Sequence, residues 1–377
     1  MADAQFDTCA WIPRLRSLAL RGLPAMYRPR DHRFVFRLRR DGDTTIQRGV
    51  SRRYTAIALI GLAHEKPDTV ADVLREDSPE TVITSLLDEL PAVRNLGDIA
   101  LTLWAARALG HPGAHTAVRR LADIFSEAAD PYTVEVAWGL AALCQEHDGQ
   151  NGHQLRDELA RALLSTFEPE SGFFRHRLAR TGGLRDHVAC FADLVYPIQA
   201  LSHYHRISGD EASLSTAIRC AERICESLGP DGQWWWHYDV RTGRVIEGYP
   251  VYAVHQDAMA PMALFALADA GGPLHREPIE RGLHWLAAAP ELDGGTLIDE
   301  PAAVIWRKVA RHEPRKCVRG AQAVVSRIHP SLRVPGTDSV FPPGAIDDEC
   351  RPYHLGWLLH AWPQVRAGHW AAKPGLN

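Results

Sequence analysis

Long apolar runs are missing from this 377-residue chain. None approaches the ~20 residues that a bilayer-spanning helix needs, so no integral membrane segment is expected. The start of the chain, MADAQFDTCAWIPRLRSLAL, lacks a basic stretch followed by a continuous apolar core, and no signal peptide is expected either. Excess charge of one sign is also missing. A formal net charge of −4 gives no electrostatic basis for a nucleic-acid or anionic-membrane partner. The seven cysteines (Cys9, Cys144, Cys190, Cys220, Cys225, Cys317 and Cys350) are odd in number and scattered. That excludes a disulfide framework and predicts a reduced, cytoplasmic protein with buried thiols. No G-x-G-x-x-G follows a strand, and there is no P-loop lysine motif and no G-x-S-x-G. Dinucleotide, nucleoside-triphosphate and serine-hydrolase chemistries therefore lack support.

What the chain does have is an alternation of two kinds of helix. Residues 1–50 are mixed: Ile12–Met26 reads as an amphipathic helix, and Arg33–Leu38 alternates like a strand before the Asp41-Gly42 turn. This segment is expected to pack on one domain spanning residues 51–377. There, segments apolar all round (Thr55–His64, Ile99–Leu109, Val134–Gln145, Leu194–Tyr204, Ala258–Ala270, Pro352–Trp362) alternate with amphipathic ones. The amphipathic set is Thr69–Leu90, Thr116–Ala128, Leu155–Phe167, Ser213–Leu228, Glu277–Ala288 and Val304–Ile328. A helix with no polar face must be surrounded by protein, whereas a striped one lies outside. The pattern predicts an all-α fold, an (α/α)6 toroid of inner and outer helices; a solenoid would show a tighter repeat.

Ser51, Asn95 and Asp130 precede the first three inner helices as caps, and Asp193, Asp257 and Asp348 each stand four residues before a proline at the other three. Turns at Ser171-Gly172, Asp231-Gly232 and Asp293-Gly294 lead from outer helices into short hairpins, expected at the mouth of the ring. Cys225–Trp234 (CESLGPDGQW) resembles the turn of the squalene cyclase and protein prenyltransferase repeats. Ala345–Cys350 (AIDDEC) resembles the D-x-D-D acid motif of class II terpene cyclases, with Ala345 where that motif has its first Asp. The resemblance implies the toroid and, as one alternative, isoprenoid chemistry. Toroidal carbohydrate-active enzymes share the architecture, so fold does not choose between them.

The inner-helix N-termini should converge on one cavity. The candidates there for substrate contact are Arg53, Tyr54, Asp193, Tyr196, Trp236, His237, Tyr238, Tyr252, His255, Gln256, Arg351, Tyr353 and His354; Asn95, Asp98 and Glu135 lie at the same ends. Carboxylates, imidazoles and tyrosines beside Trp suit a ligand with many hydroxyls, whose ring faces stack on aromatics. Asp257, the Asp347-Asp348 pair and Glu247 are the candidate acid/base groups for a glycoside hydrolase, or for a uronate lyase or epimerase. A terpene cyclase would instead use Asp347 as acid beside a wall of Trp234, Trp235, Trp236 and Trp357, against which the 8% aromatic content counts. A non-catalytic scaffold is the third reading. Asp348-Glu349-Cys350 is similar to part of the prenyltransferase zinc site, and Cys350 and His354 would share one helix face. The prenyltransferases take their histidine from another helix, so no metal or cofactor is expected. The expected partner is a small molecule or oligosaccharide, or an isoprenoid in the alternative, with a homodimer allowed.

Overall fold

Each of the two helix types goes where its surface chemistry sends it. A computed structural model describes residues 8–75, 77–145, 150–180, 182–314 and 317–372; the first seven residues and the Cys9 side chain lie outside that set. In chain order, outer α1 (Thr8–Gly22) precedes inner α2 (Arg52–Leu62), and outer α3 (Pro67–Leu74) and α4 (Pro79–Asp88) precede inner α5 (Leu96–Ala108). Outer α6 (Ala114–Glu127) and inner α7 (Thr133–Leu143) follow, then outer α8 (Gln150–Leu164) and inner α9 (Ala192–Ser208). Outer α10 (Glu211–Glu226), inner α11 (Ala260–Asp269) and outer α12 (Arg276–Ala288) come next. Loop helices α13 (Cys317–Ile328) and α14 (Thr337–Val340) lead to inner α15 (Pro352–Ala361) and outer α16 (Gln364–Ala372). The inner helices pack in the order α2, α5, α7, α9, α11 and α15, and α15 returns to α2. This is the expected toroid.

The ring closes at a glycine contact. A Cβ on Gly61 of α2 would lie 2.2 Å from the carbonyl oxygen of Gly356 on α15, and one on Gly356 would lie 2.7 Å from that of Ile57. The two helices meet backbone to backbone there. One apolar cluster runs through both rings, from Ile12 to Trp370. Among the described residues, no helix is long and apolar enough to cross a membrane.

Two amphipathic stretches differ from their expectation. Thr69–Leu90 is split into α3 and α4 at Arg75, whose φ is +60°, and Pro79 opens the second helix. Val304–Ile328 is not one helix: Val304–Ile305 and Lys308–Arg311 are strands, and only α13 is helical. Its β-branched residues found strand partners, an outcome local periodicity could not foresee. The sixth outer position is filled by α1 and α16, which pack on each other and, through α1, on α15.

Three three-stranded antiparallel sheets decorate the entries to the inner helices. Lys308–Arg311 runs between Val251–Tyr252 and Pro343–Asp347, pairing Lys308 with both Tyr252 and Asp347. His237–Asp239 runs between Val188–Cys190 and Val245–Glu247. Arg37–Asp41 runs between Thr44–Arg48 and Glu349–Cys350. The Asp231-Gly232 turn needs its glycine: φ is +98°, and a Cβ would meet the Arg281 carbonyl oxygen at 2.2 Å.

Ser51 and Asn95 cap α2 and α5 as expected, accepting from the Tyr54 and Asp98 amides. Asp130 does not cap α7; it accepts from Arg177 and the Ala179 amide. The three aspartates before prolines share no capping role. Asp193 lies inside the first turn of α9, Asp257 in a wide π-type turn (His255–Met259) ahead of α11, and Asp348 outside α15, whose cap position is Arg351.

Candidate active site at the toroid mouth

Side chains from the inner-helix N-termini link all six helices into a ring. Arg53 of α2 donates to Asp98 and Asn95 of α5, at 2.8 Å each, and lies over the Trp138 indole of α7. Asn95 donates to Glu135 of α7 at 2.9 Å. Tyr132, just before α7, packs at a tilt against His176, and the His176 Nδ1 is 2.8 Å from the Asp193 carboxylate of α9. Phe191, at the start of α9, packs on His255, 4.5 Å between ring centres. Asp257 bonds His354 of α15 through both oxygens, at 2.8 and 2.9 Å. Arg351 donates to the Tyr54 hydroxyl of α2 at 2.9 Å, completing the circuit. This circuit is possible only because all six N-termini share one end.

The polar groups are interleaved with rings and cations. Trp236 meets Tyr252 edge-on at 4.9 Å, with the Arg319 guanidinium over its face. Arg307 and Lys308 lie over Tyr252, and both pair with Asp347, at 3.4 and 2.9 Å. Arg351 pairs with Glu349 at 2.9 Å, and Tyr54 packs on Tyr353. Aromatic faces, guanidinium forks and carboxylates gathered at one end of the ring suit a hydroxylated, anionic ligand.

Titration sorts the histidines. Burial works against the His176 imidazolium, but the hydrogen bond and charge of Asp193 outweigh it and raise its pKa. With its side chain 42% exposed, His176 faces solvent. His237 and His255 go the other way. Burial, assisted by Arg319 and Arg185, takes His237 down to about 3, and burial takes His255 to about 3 despite its bond to the Trp234 carbonyl.

Several predicted residues are not free to meet a substrate. Tyr238 is fully buried against Phe173, because strand alternation turns it away from the face that carries His237. Gln256 is fully buried and spent on the chain itself, accepting from the Trp234 amide and donating to the Tyr252 carbonyl. Asp257 is also fully buried, behind His354, with its carbonyl accepting from the Trp362 indole. Tyr196 sits deeper, edge-on to Trp138. Asp347 is at the mouth, held by its two cations. Asp348 is half-buried between two strands, its carbonyl accepting from the Arg40 amide. Glu247 is elsewhere: it accepts from Arg311 at 2.9 Å and lines a separate cavity of about 580 Å³ with Trp235. The four candidate acids thus occupy distinct surroundings. The four tryptophans do not form one wall either: Trp234 and Trp357 are fully buried, Trp235 faces Glu247's cavity, and Trp236 alone stands with Tyr252.

His176, Arg307, Lys308 and Arg319 were not predicted. The last three lie in the stretch read as a helix, and His176 in a hairpin with no local signature. A second cavity, about 340 Å³, opens beside His176 and is walled largely by arginines.

Cys350 belongs to a strand and not to α15, so it does not share a helix face with His354. Among the described residues, the one trio of metal-type ligands is His176, Cys190 and Asp193, whose ligand atoms lie within 4.8 Å of one another. Burial, with Asp193 nearby, raises the Cys190 thiol, which favours its neutral form over a thiolate ligand.

No family model and no curated protein matches this chain. Solved structures do. The chain is similar to an unsaturated glucuronyl hydrolase specific for heparin (TM-score 0.62, 11% identity, 97% of this chain and 98% of that one covered). It is similar to the unsaturated glucuronyl hydrolase of Bacillus sp. GL1 (TM-score 0.58, 14% identity, 96% and 98% covered). It is also similar to that of Streptococcus agalactiae (TM-score 0.60, 12% identity, 97% and 93% covered). At these identities the likeness is one of fold, and it extends over nearly the whole chain: the α/α toroid is the architecture this protein shares with them.

Proposed function

We propose that this protein is a glycan-active hydrolase that binds a uronate-bearing sugar at the toroid mouth. The observation that carries the reading is the closed ring of helix-terminal side chains in which arginines alternate with aromatic faces and carboxylates. The solved toroids it resembles, unsaturated glucuronyl hydrolases, support the same substrate class. In this scheme Trp236, Tyr252, Tyr54 and Tyr353 stack on sugar faces, while Arg53, Arg307 and Arg351 answer the uronate carboxylate. His176, backed by Asp193, donates the proton, and Glu135, held by Asn95, takes one from the attacking water. Asp257 acts through His354, and Asp347 orients Lys308 and Arg307. Scattered thiols favour a reducing compartment, and the cytoplasm is the proposed location.

The test is turnover followed by mass spectrometry. Oligosaccharides ending in an unsaturated uronate, their saturated counterparts and farnesyl diphosphate are offered in parallel. Release of a free uronate, abolished in His176→Gln and Glu135→Gln, is the expected result. A cyclised isoprenoid, or no release from any uronate substrate, would overturn the proposal.

A further inference from the structure

We infer that the arginine-walled cavity beside the mouth is a second subsite, taking an oxyanion (a sulfate ester or a carboxylate) on the part of the glycan that extends past His176. This rests on the glycan reading above. Six arginines wall the cavity: Arg175, Arg177, Arg180, Arg185, Arg241 and Arg327. Four of them are engaged: Arg177 with Asp130, Arg175 and Arg180 with a shared Glu168, and Arg241 with Asp239. Arg185 and Arg327 have no carboxylate within ion-pair distance among the described residues. Asp186, the one acid in the wall, accepts from the Gly183 amide. Among the described residues, the wall therefore holds more guanidinium groups than carboxylates paired with them.

The consequences show in neighbouring groups. Arg175 is lowered by its own burial and then by Arg180, and Arg185 opposes protonation of both His176 and His237. An oxyanion would relieve all of these repulsions at once. His187 also lines the cavity, is only 2% exposed and bonds Ser326 through Nε2. Burial holds its pKa down, and Arg241 and Arg327 work in the same direction. At about 340 Å³ the cavity is at the small end of ligand sites, enough for one substituted sugar residue. His176 belongs both to this wall and to the pair with Asp193, so a chain leaving the mouth past His176 enters it directly.

The experiment uses Arg185→Ala, Arg327→Ala and the double variant; both residues are exposed, so folding should be unaffected. Sodium sulfate and sodium glucuronate are titrated calorimetrically at constant ionic strength, and KM and kcat are measured for sulfated and unsulfated unsaturated disaccharides. Saturable binding of either anion should weaken about tenfold in the double variant, the size of one charge-assisted hydrogen bond. Measured on the pH plateau below the His176 transition, where removing Arg185 does not change that residue's protonation, KM for the sulfated sugar should rise by about the same factor with kcat unchanged, while the unsulfated sugar is unaffected. The anion that binds more tightly identifies the substituent. Equal anion binding by wild type and double variant, or equal KM changes for both sugars, overturns the inference. If no uronate substrate turns over at all, the functional reading fails, and the anion titrations still decide the cavity alone.

Discussion

At the scale of single residues, His176 and Asp257 make opposite predictions although each is half of a histidine–aspartate pair. His176 is solvent-facing, and Asp193 holds its pKa up. Activity that needs its proton is retained below that raised pKa and lost as pH rises through it. In Asp193→Asn the burial effect is left unopposed, so the alkaline limb of kcat/KM should move to lower pH. An NMR titration of His176 should move with it; an unchanged limb would rule His176 out as the donor. Asp257 is fully buried, so Asp257→Ala leaves the His354 imidazole without its partner and should destabilise the fold by about 1–3 kcal/mol. Glu127→Gln, in the exposed pair with Arg94, should leave the denaturation midpoint close to wild type. Equal midpoints for the two variants would contradict this division.

At the scale of elements, the seam between α2 and α15 decides whether the ring closes. Because a Cβ at position 61 meets main chain and not a movable side chain, Gly61→Ala should cost about 1–3 kcal/mol in a urea titration. Gly110→Ala is not a suitable control despite open space around it, since its φ is +63°; Gly320→Ala, near the start of α13 with nothing near its Cβ, should instead be neutral or slightly stabilising. If both variants lost stability alike, the backbone contact would not be the cause. The helices were legible in the sequence because apolar periodicity is a local property. The strand Lys308–Arg311 was not, because a strand needs partners, and its partners are Val251–Tyr252 and Pro343–Asp347, which no local window contains; Val304–Ile305 pairs with nearby Ile298–Asp299 in a short hairpin.

At the scale of the whole molecule, His237 and His255 couple stability to pH. Their folded-state pKa values of about 3 lie below the ordinary 6.5, so the unfolded chain binds protons that the folded one refuses. Their contribution is fully present above about 6.5 and lost progressively as pH falls towards 3. The melting temperature should therefore decline on acidification, and His255→Phe should shrink that slope; a slope equal to wild type would exclude His255 as a source.

The alternation of wholly apolar and striped helices determined the toroid, the inner or outer place of nearly every helix, and the end at which polar groups gather, because burial follows from composition along each helix. Ser51 and Asn95 as caps were equally readable, since a cap acts within three residues. Which of the gathered groups face solvent was settled only by tertiary structure. A π-type turn sinks Asp257 and Gln256 into the core, strand alternation hides Tyr238, and the loop ahead of α9 folds back to bring His176 to Asp193. Those placements depend on contacts between segments far apart in sequence, and it is such contacts that set exposure and proton affinity.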